Sequence, residues 1–130
     1  MRILLIGDIV GKPGRQIVTR AVRGLIEQHG LDLVIANAEN AAGGSGLTPA
    51  IYQELMAAGV DAITLGDHIY RRAEIADTLT KKDNIVKPAN FPPEAPGREI
   101  AVVHSRTGSS VAVLSLLGRV FMRPVDCPWK

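Results

Sequence analysis

Three short segments hold the residues best suited to chemistry, and each lies directly behind an apolar run. RILLIGD (2–8) ends in Asp8, DLVIANAEN (32–40) in Glu39 and Asn40, and DAITLGDHIY (61–70) carries Asp67 and His68. Carboxylates, an amide and an imidazole are the groups that bind hard cations and move protons. Three carboxylates drawn together would repel one another and resist ionisation unless positive charge lay between them. A pair of divalent cations is the simplest source of that charge.

Each residue also has a plainer reading. Asp8 could cap a helix starting near Pro13, Glu39 could sit in a solvated loop, and His68 alone could be structural. The other two histidines are not candidate ligands: His104 is expected to face solvent on an edge strand, and His29 to end a helix where a cation suits the dipole.

The chemistry requires elements that bring the three segments to one place. ILLI (3–6) reads as a strand. After it, Ile17, Val18, Ala21, Val22, Leu25 and Ile26 recur at helical spacing, with Gly30 as the stop. LDLVIA (31–36) is a second strand, followed by the loop NAENAAGGSG and a helix with Thr48 as N-cap, Pro49 at its first position and an end near Gly59. AITL (62–65) precedes a third helix around 72–80, and NIV (84–86) starts a fourth strand before the loop KPANFPPEAPG. This alternation predicts an α/β fold with a parallel sheet flanked by helices, whose ligands bind beyond the carboxyl ends of the strands. EIAVVH (99–104) and VAVLSLL (111–117), joined by SRTGSS, predict an antiparallel hairpin at the end of the sheet. On that placement Val102, Val113, Leu114 and Leu116 lack a covering layer, which leads to an expected homo-oligomer.

Composition limits the function classes. The 130 residues, 46% of them hydrophobic, suit one domain spanning 1–130. Fifteen basic against 13 acidic residues give a net charge of +2, too balanced to announce a nucleic-acid or membrane surface despite a pI near 8.9. A lone cysteine, Cys127, excludes an internal disulfide framework, and no run is long enough for a membrane span or signal. A cytoplasmic protein without stable nucleic-acid or membrane partners is the expectation. GDIVGKPG superficially suggests a phosphate loop, but three residues separate Gly7 from Gly11 where four are needed, and Pro13 stands where Ser or Thr should be.

In order and spacing, GDIVGKPGR, NAENAAGGSGLT, DAITLGDHIY, VKPANFP and GRVFMRPVDCP resemble the YmdB-like metallophosphoesterases, a branch of the calcineurin-like phosphoesterase superfamily. The resemblance runs along the whole chain. It implies half of a four-layer α/β/β/α sandwich and a binuclear iron or manganese centre. The implied activity is hydrolysis of phosphodiesters such as 2′,3′-cyclic nucleotides or cAMP by metal-activated water. It also implies that Asp8, Glu39, Asn40 and position 67 are metal ligands, Glu39 bridging, and that His68 assists the leaving group.

Two departures stand out. The family's usual residue at position 67 is asparagine, where this chain has Asp67. Members of the family also continue into a second half supplying three further histidine ligands, which have no counterpart here. The sequence is then a fragment of a longer enzyme or a shortened relative with a partial, weakly binding site. The competing reading is a non-catalytic regulatory or assembly module that keeps the fold without the complete metal site.

Overall fold

The computed structural model describes residues 1–129. Four strands, β1 (Ile3–Ile6), β2 (Leu33–Asn37), β3 (Ala62–Thr64) and β4 (Ile85–Val86), form one parallel sheet in the order β1-β2-β3-β4. Leu5 pairs with Ile35, Ala36 with Ile63 and Thr64 with Val86, so the carboxyl ends of all four strands point the same way. Between them run α1 (Gly11–His29), α2 (Pro49–Ala58) and a 3₁₀ turn at Ala73–Ile75 that leads into α3 (Ala76–Lys81). Right-handed crossovers that always step to the next strand in the same direction place every helix on one face of the sheet.

The helix ends follow their residues. Gly30 closes α1 in the left-handed region at φ 56°, donating its N–H to the Ile26 carbonyl. Thr48 caps α2, its side-chain oxygen accepting from the Ile51 N–H, with Pro49 at the first position and Gly59 closing the helix at φ 107°.

Alternation along the strands divides the core in two. Val34, Ala36, Ile63 and Ile85 face the helices, where they pack with Val18, Val22, Tyr52 and Leu55. Leu33, Ala62 and Val86, with Ile35, face the other way and pack against β5 (Ile100–His104) and β6 (Ser110–Leu114). Burial on both faces is why β2, β3 and β4 read as unbroken apolar runs.

The antiparallel pairing of β5 with β6 agrees with the expected hairpin, but its position does not. It is a separate two-stranded sheet laid over the back of the parallel one, joined to its edge by bridges between Val86 and Arg98 and between Pro88 and Ser115, while Arg106 in the hairpin turn donates to the Asp32 carbonyl and to the Asp61 carboxylate. Ala101, Val103 and Val113 form its inner face. Val113, expected to lack cover, is therefore buried, because a stacked hairpin hides one face where an edge hairpin would hide neither. Ile100, Val102, Leu114 and Leu116 remain exposed on the outer face. The hairpin also leaves β1 bare: Leu5 is 72% exposed and borders an open groove of about 380 Å³ between Ile35 and Leu114. The layers are thus helices, parallel sheet and a partial second sheet. Among the described residues, no helix is long and apolar enough to cross a membrane.

Candidate metal centre

The loops after β1, β2 and β3 are stitched to one another by backbone hydrogen bonds. Ile9 N–H donates to the Asn37 carbonyl, Gly11 N–H to the Asn40 carbonyl and Ala38 N–H to the Thr64 carbonyl. Within the second loop, Gly44 N–H donates to Asn40 and Gly46 N–H to Glu39. Two arginines fasten this loop from opposite sides. Arg15 on α1 donates to the Ala41 carbonyl while pairing with Glu54, and Arg72 donates to the carbonyls of Ala42 and Ser45. Donors at the strand ends are thus held on a rigid backbone, as a preorganised site requires.

All five residues singled out in the sequence meet here. The Asn40 side-chain N–H₂ donates to both oxygens of Asp8 at 2.9 Å, and its carbonyl oxygen lies 2.5 Å from His68 Nδ1. A carboxylate only accepts, so Asp8 fixes which way the Asn40 amide faces. The amide oxygen then accepts from His68, which places the ring hydrogen on Nδ1. His68 Nε2 lies 3.5 Å from Asp67 Oδ2, and the His68 backbone N–H donates to Glu39 Oε2 at 3.1 Å. Glu39, Asp67 and His68 each offer one ligand atom within 4.8 Å of the other two. No side-chain bond caps the start of α1, so Asp8 is not engaged as its cap.

Burial pushes the Glu39 carboxyl above its ordinary range. The His68 N–H offsets part of this, and the neighbouring Asp67 adds to it. A cation held by both carboxylates would reverse that effect. The candidate ligands are three carboxylates and one amide, with the His68 imidazole beside them and no thiolate among them, a set suited to manganese or iron rather than to softer ions. The residues present therefore fit the group that the fold implies.

Several supporting residues escaped the sequence reading. Gly66 is one: a Cβ there would come within 2.5 Å of both Glu39 carboxylate oxygens, so any other residue would push Glu39 away. Lys87 is another. It is 1% exposed, and its Nζ donates to the carbonyls of Pro92, Pro93 and Ala95 and lies 3.7 Å from Glu99, shaping the proline-rich loop around one amine. Asn90 ties that loop to the C-terminal segment through Leu117 and Asp126. A lysine at the end of an apolar strand was the available signal for Lys87.

The chain is similar to known proteins along nearly its whole length. The family model described as YmdB-like protein matches residues 4–130. The chain is 46% identical over 129 residues to the 2′,3′-cyclic-nucleotide 2′-phosphodiesterase of Bacillus subtilis strain 168, covering 99% of this chain and 48% of that protein. Among solved structures, a hypothetical protein from Thermus thermophilus superposes with a TM-score of 0.90 at 38% identity, covering 99% of this chain and 50% of that one. A novel phosphatase from Mycoplasma pneumoniae superposes with a TM-score of 0.88 at 30% identity, covering 98% and 47%. The chain spans about half the length of the relatives it matches. With the motifs matched in order from the first strand to the C-terminal segment, the chain belongs to the YmdB-like protein family.

Proposed function

We propose that this chain carries the acidic half of a metal-dependent phosphodiesterase centre acting on phosphodiesters such as 2′,3′-cyclic nucleotides or cAMP. The carrying observation is the convergence of Asp8, Glu39, Asn40, Asp67 and His68 from three strand ends on one rigid edge. The name of the B. subtilis relative supports the reaction class. Asp8, Glu39, Asn40 and Asp67 would hold two divalent cations, iron or manganese, with Glu39 shared between them. When bound, the cations supply charge neutralisation of the phosphate and an activated water.

The remaining steps fall to the chain's own groups. Asn40 keeps one oxygen lone pair on His68 Nδ1 and has another to offer a cation. That bond holds the Nδ1 hydrogen and orients the imidazole so that Nε2 is the nitrogen that would hand a proton to a departing oxygen from the doubly protonated, imidazolium form, leaving the neutral ring. The test is metal titration of the purified chain, followed by hydrolysis of 2′,3′-cyclic AMP with the family's histidine-bearing half supplied. Mn²⁺ should bind the 130-residue chain weakly and be lost on dialysis, and hydrolysis should stop in chelator. Hydrolysis that persists in chelator overturns the proposal.

The partner proposal is self-association. Ile100, Val102, Leu114 and Leu116 form a contiguous apolar outer face on the hairpin, and faces of that kind are usually covered. Light scattering should show a dimer or larger species as concentration rises; a strict monomer overturns it.

A further inference from the structure

Beside the donor cluster lies a cavity of about 260 Å³, lined by Asp67, Tyr70, Arg71, Phe91, Leu117 and Arg123 among others. It is built from three separate parts of the chain, and each is fastened. The Tyr70 hydroxyl donates to the Pro96 carbonyl at 2.7 Å. Phe91 N–H donates to the Pro88 carbonyl. Asn90, 5% exposed, donates to the Leu117 and Asp126 carbonyls and accepts from Leu117 N–H, which brings the C-terminal segment against the loop that carries Phe91.

The lining has two chemical characters. Tyr70 and Phe91 meet with ring centroids 6.2 Å apart at 43°, an aromatic corner within the cavity wall. Burial holds the Tyr70 phenol above its ordinary range, so it stays neutral. Arg71 and Arg123 supply positive charge. Among the described residues neither has an ion-pair partner, although Asp67 borders the same cavity. Arg72, next along the chain, differs: its guanidinium is engaged by the carbonyls of Ala42 and Ser45. An aromatic corner with two unengaged guanidinia suits a ligand that joins an aromatic ring to an anion. The volume lies just below the ~300–1,000 Å³ usual for drug-sized ligands, which suits one base and not an oligonucleotide.

We propose that this cavity is the nucleobase subsite of the centre, with Phe91 stacking on the base and Tyr70 set against its edge while Arg71 and Arg123 draw in the phosphate. The proposal rests on the phosphodiesterase reading of the donor cluster and narrows its substrate to a nucleotide with the base lodged on the Asp67 side.

The test measures equilibrium binding of adenosine 3′-monophosphate and ribose 5-phosphate to the chain in metal-free buffer with chelator. Stacking makes the nucleotide bind roughly 5- to 100-fold tighter than the sugar phosphate. Phe91→Leu keeps the apolar volume but loses the ring face. It should remove most of that advantage without changing sugar-phosphate binding, and Phe91→Ala should do the same if it folds. Arg71→Gln and Arg123→Gln should weaken both ligands alike. Equal affinity for the two ligands, or a Phe91→Leu variant that discriminates as well as the parent, overturns the subsite. If Mn²⁺ fails to bind but discrimination persists, the subsite is supported and the metal reading falls. If Mn²⁺ binds and bis-p-nitrophenyl phosphate is hydrolysed but the base makes no difference, the subsite falls and the metal reading stands.

Discussion

Replacing His68 with alanine should lower turnover of a 2′,3′-cyclic nucleotide by roughly 10²- to 10⁴-fold, the usual worth of a positioned acid or base. The assay is run with the remaining part of the B. subtilis relative supplied, since this chain covers 48% of that protein. Metal content should hardly change, since the oxygen donors of Asp8, Glu39 and Asp67 remain. The loss should be smaller for bis-p-nitrophenyl phosphate, whose leaving group departs without protonation. His68 is oriented from one side by the Asn40 oxygen and faces Asp67 on the other, so it is held in place before any ligand arrives. Asp67→Asn gives a contrasting signature. It restores the residue that the resemblance makes usual, removes one negative charge, and should weaken metal retention. A His68→Ala enzyme with unchanged rates on a cyclic nucleotide would show that His68 is structural.

Glu39→Gln should act in opposite directions with and without metal. In the folded chain the Glu39 carboxyl is held above its ordinary value of 4.5, chiefly by burial. For an acid with a raised folded pKa, the folded state binds the proton more readily than the unfolded state. Stability therefore falls as pH rises from about 4.5 through the raised value. In chelator the glutamine variant escapes that fall and should melt at or above the parent temperature at pH 7. With Mn²⁺ at a hundredfold excess over its dissociation constant, the parent gains about 2.7 kcal/mol, a rise of roughly 8–16 °C for a domain of this size. The variant should gain little, so the two melting curves change order on adding metal. An equal Mn²⁺-dependent rise in both proteins would remove Glu39 from the site.

The sequence was most legible where a residue's effect is local. Thr48, Pro49 and Gly59 delimit α2 because capping acts within one turn, and Gly30 stops α1 for the same reason. The donor cluster was legible because a parallel sheet collects its strand ends on one edge, so Asp8, Glu39 and His68 could be assigned together before any contact was known. The third helix was only approximately placed: the segment around 72–80 opens as a 3₁₀ turn and becomes α-helical at Ala76. The hairpin's position was not legible. Alternation in IAVVH says that one face is buried but not against what, and Val113 was assigned to the wrong environment for that reason. Arg15, Arg72, Lys87 and Asn90 were illegible in another way. Their partners are mostly backbone carbonyls, and any residue supplies a carbonyl, so the sequence carries no trace of the pairing.

The strand order β1-β2-β3-β4 also governs timing. Each strand pairs with the one made just before it, and every oxygen donor of the cluster lies between Asp8 and Asp67. At ~5–20 residues per second, a nascent chain passes from Asp8 to His68 in roughly 3–12 s. The order of synthesis is then the order of assembly. Aspartate, glutamate and asparagine can come together as β3 docks, before the Lys87-clamped loop or the hairpin has emerged from the ribosome.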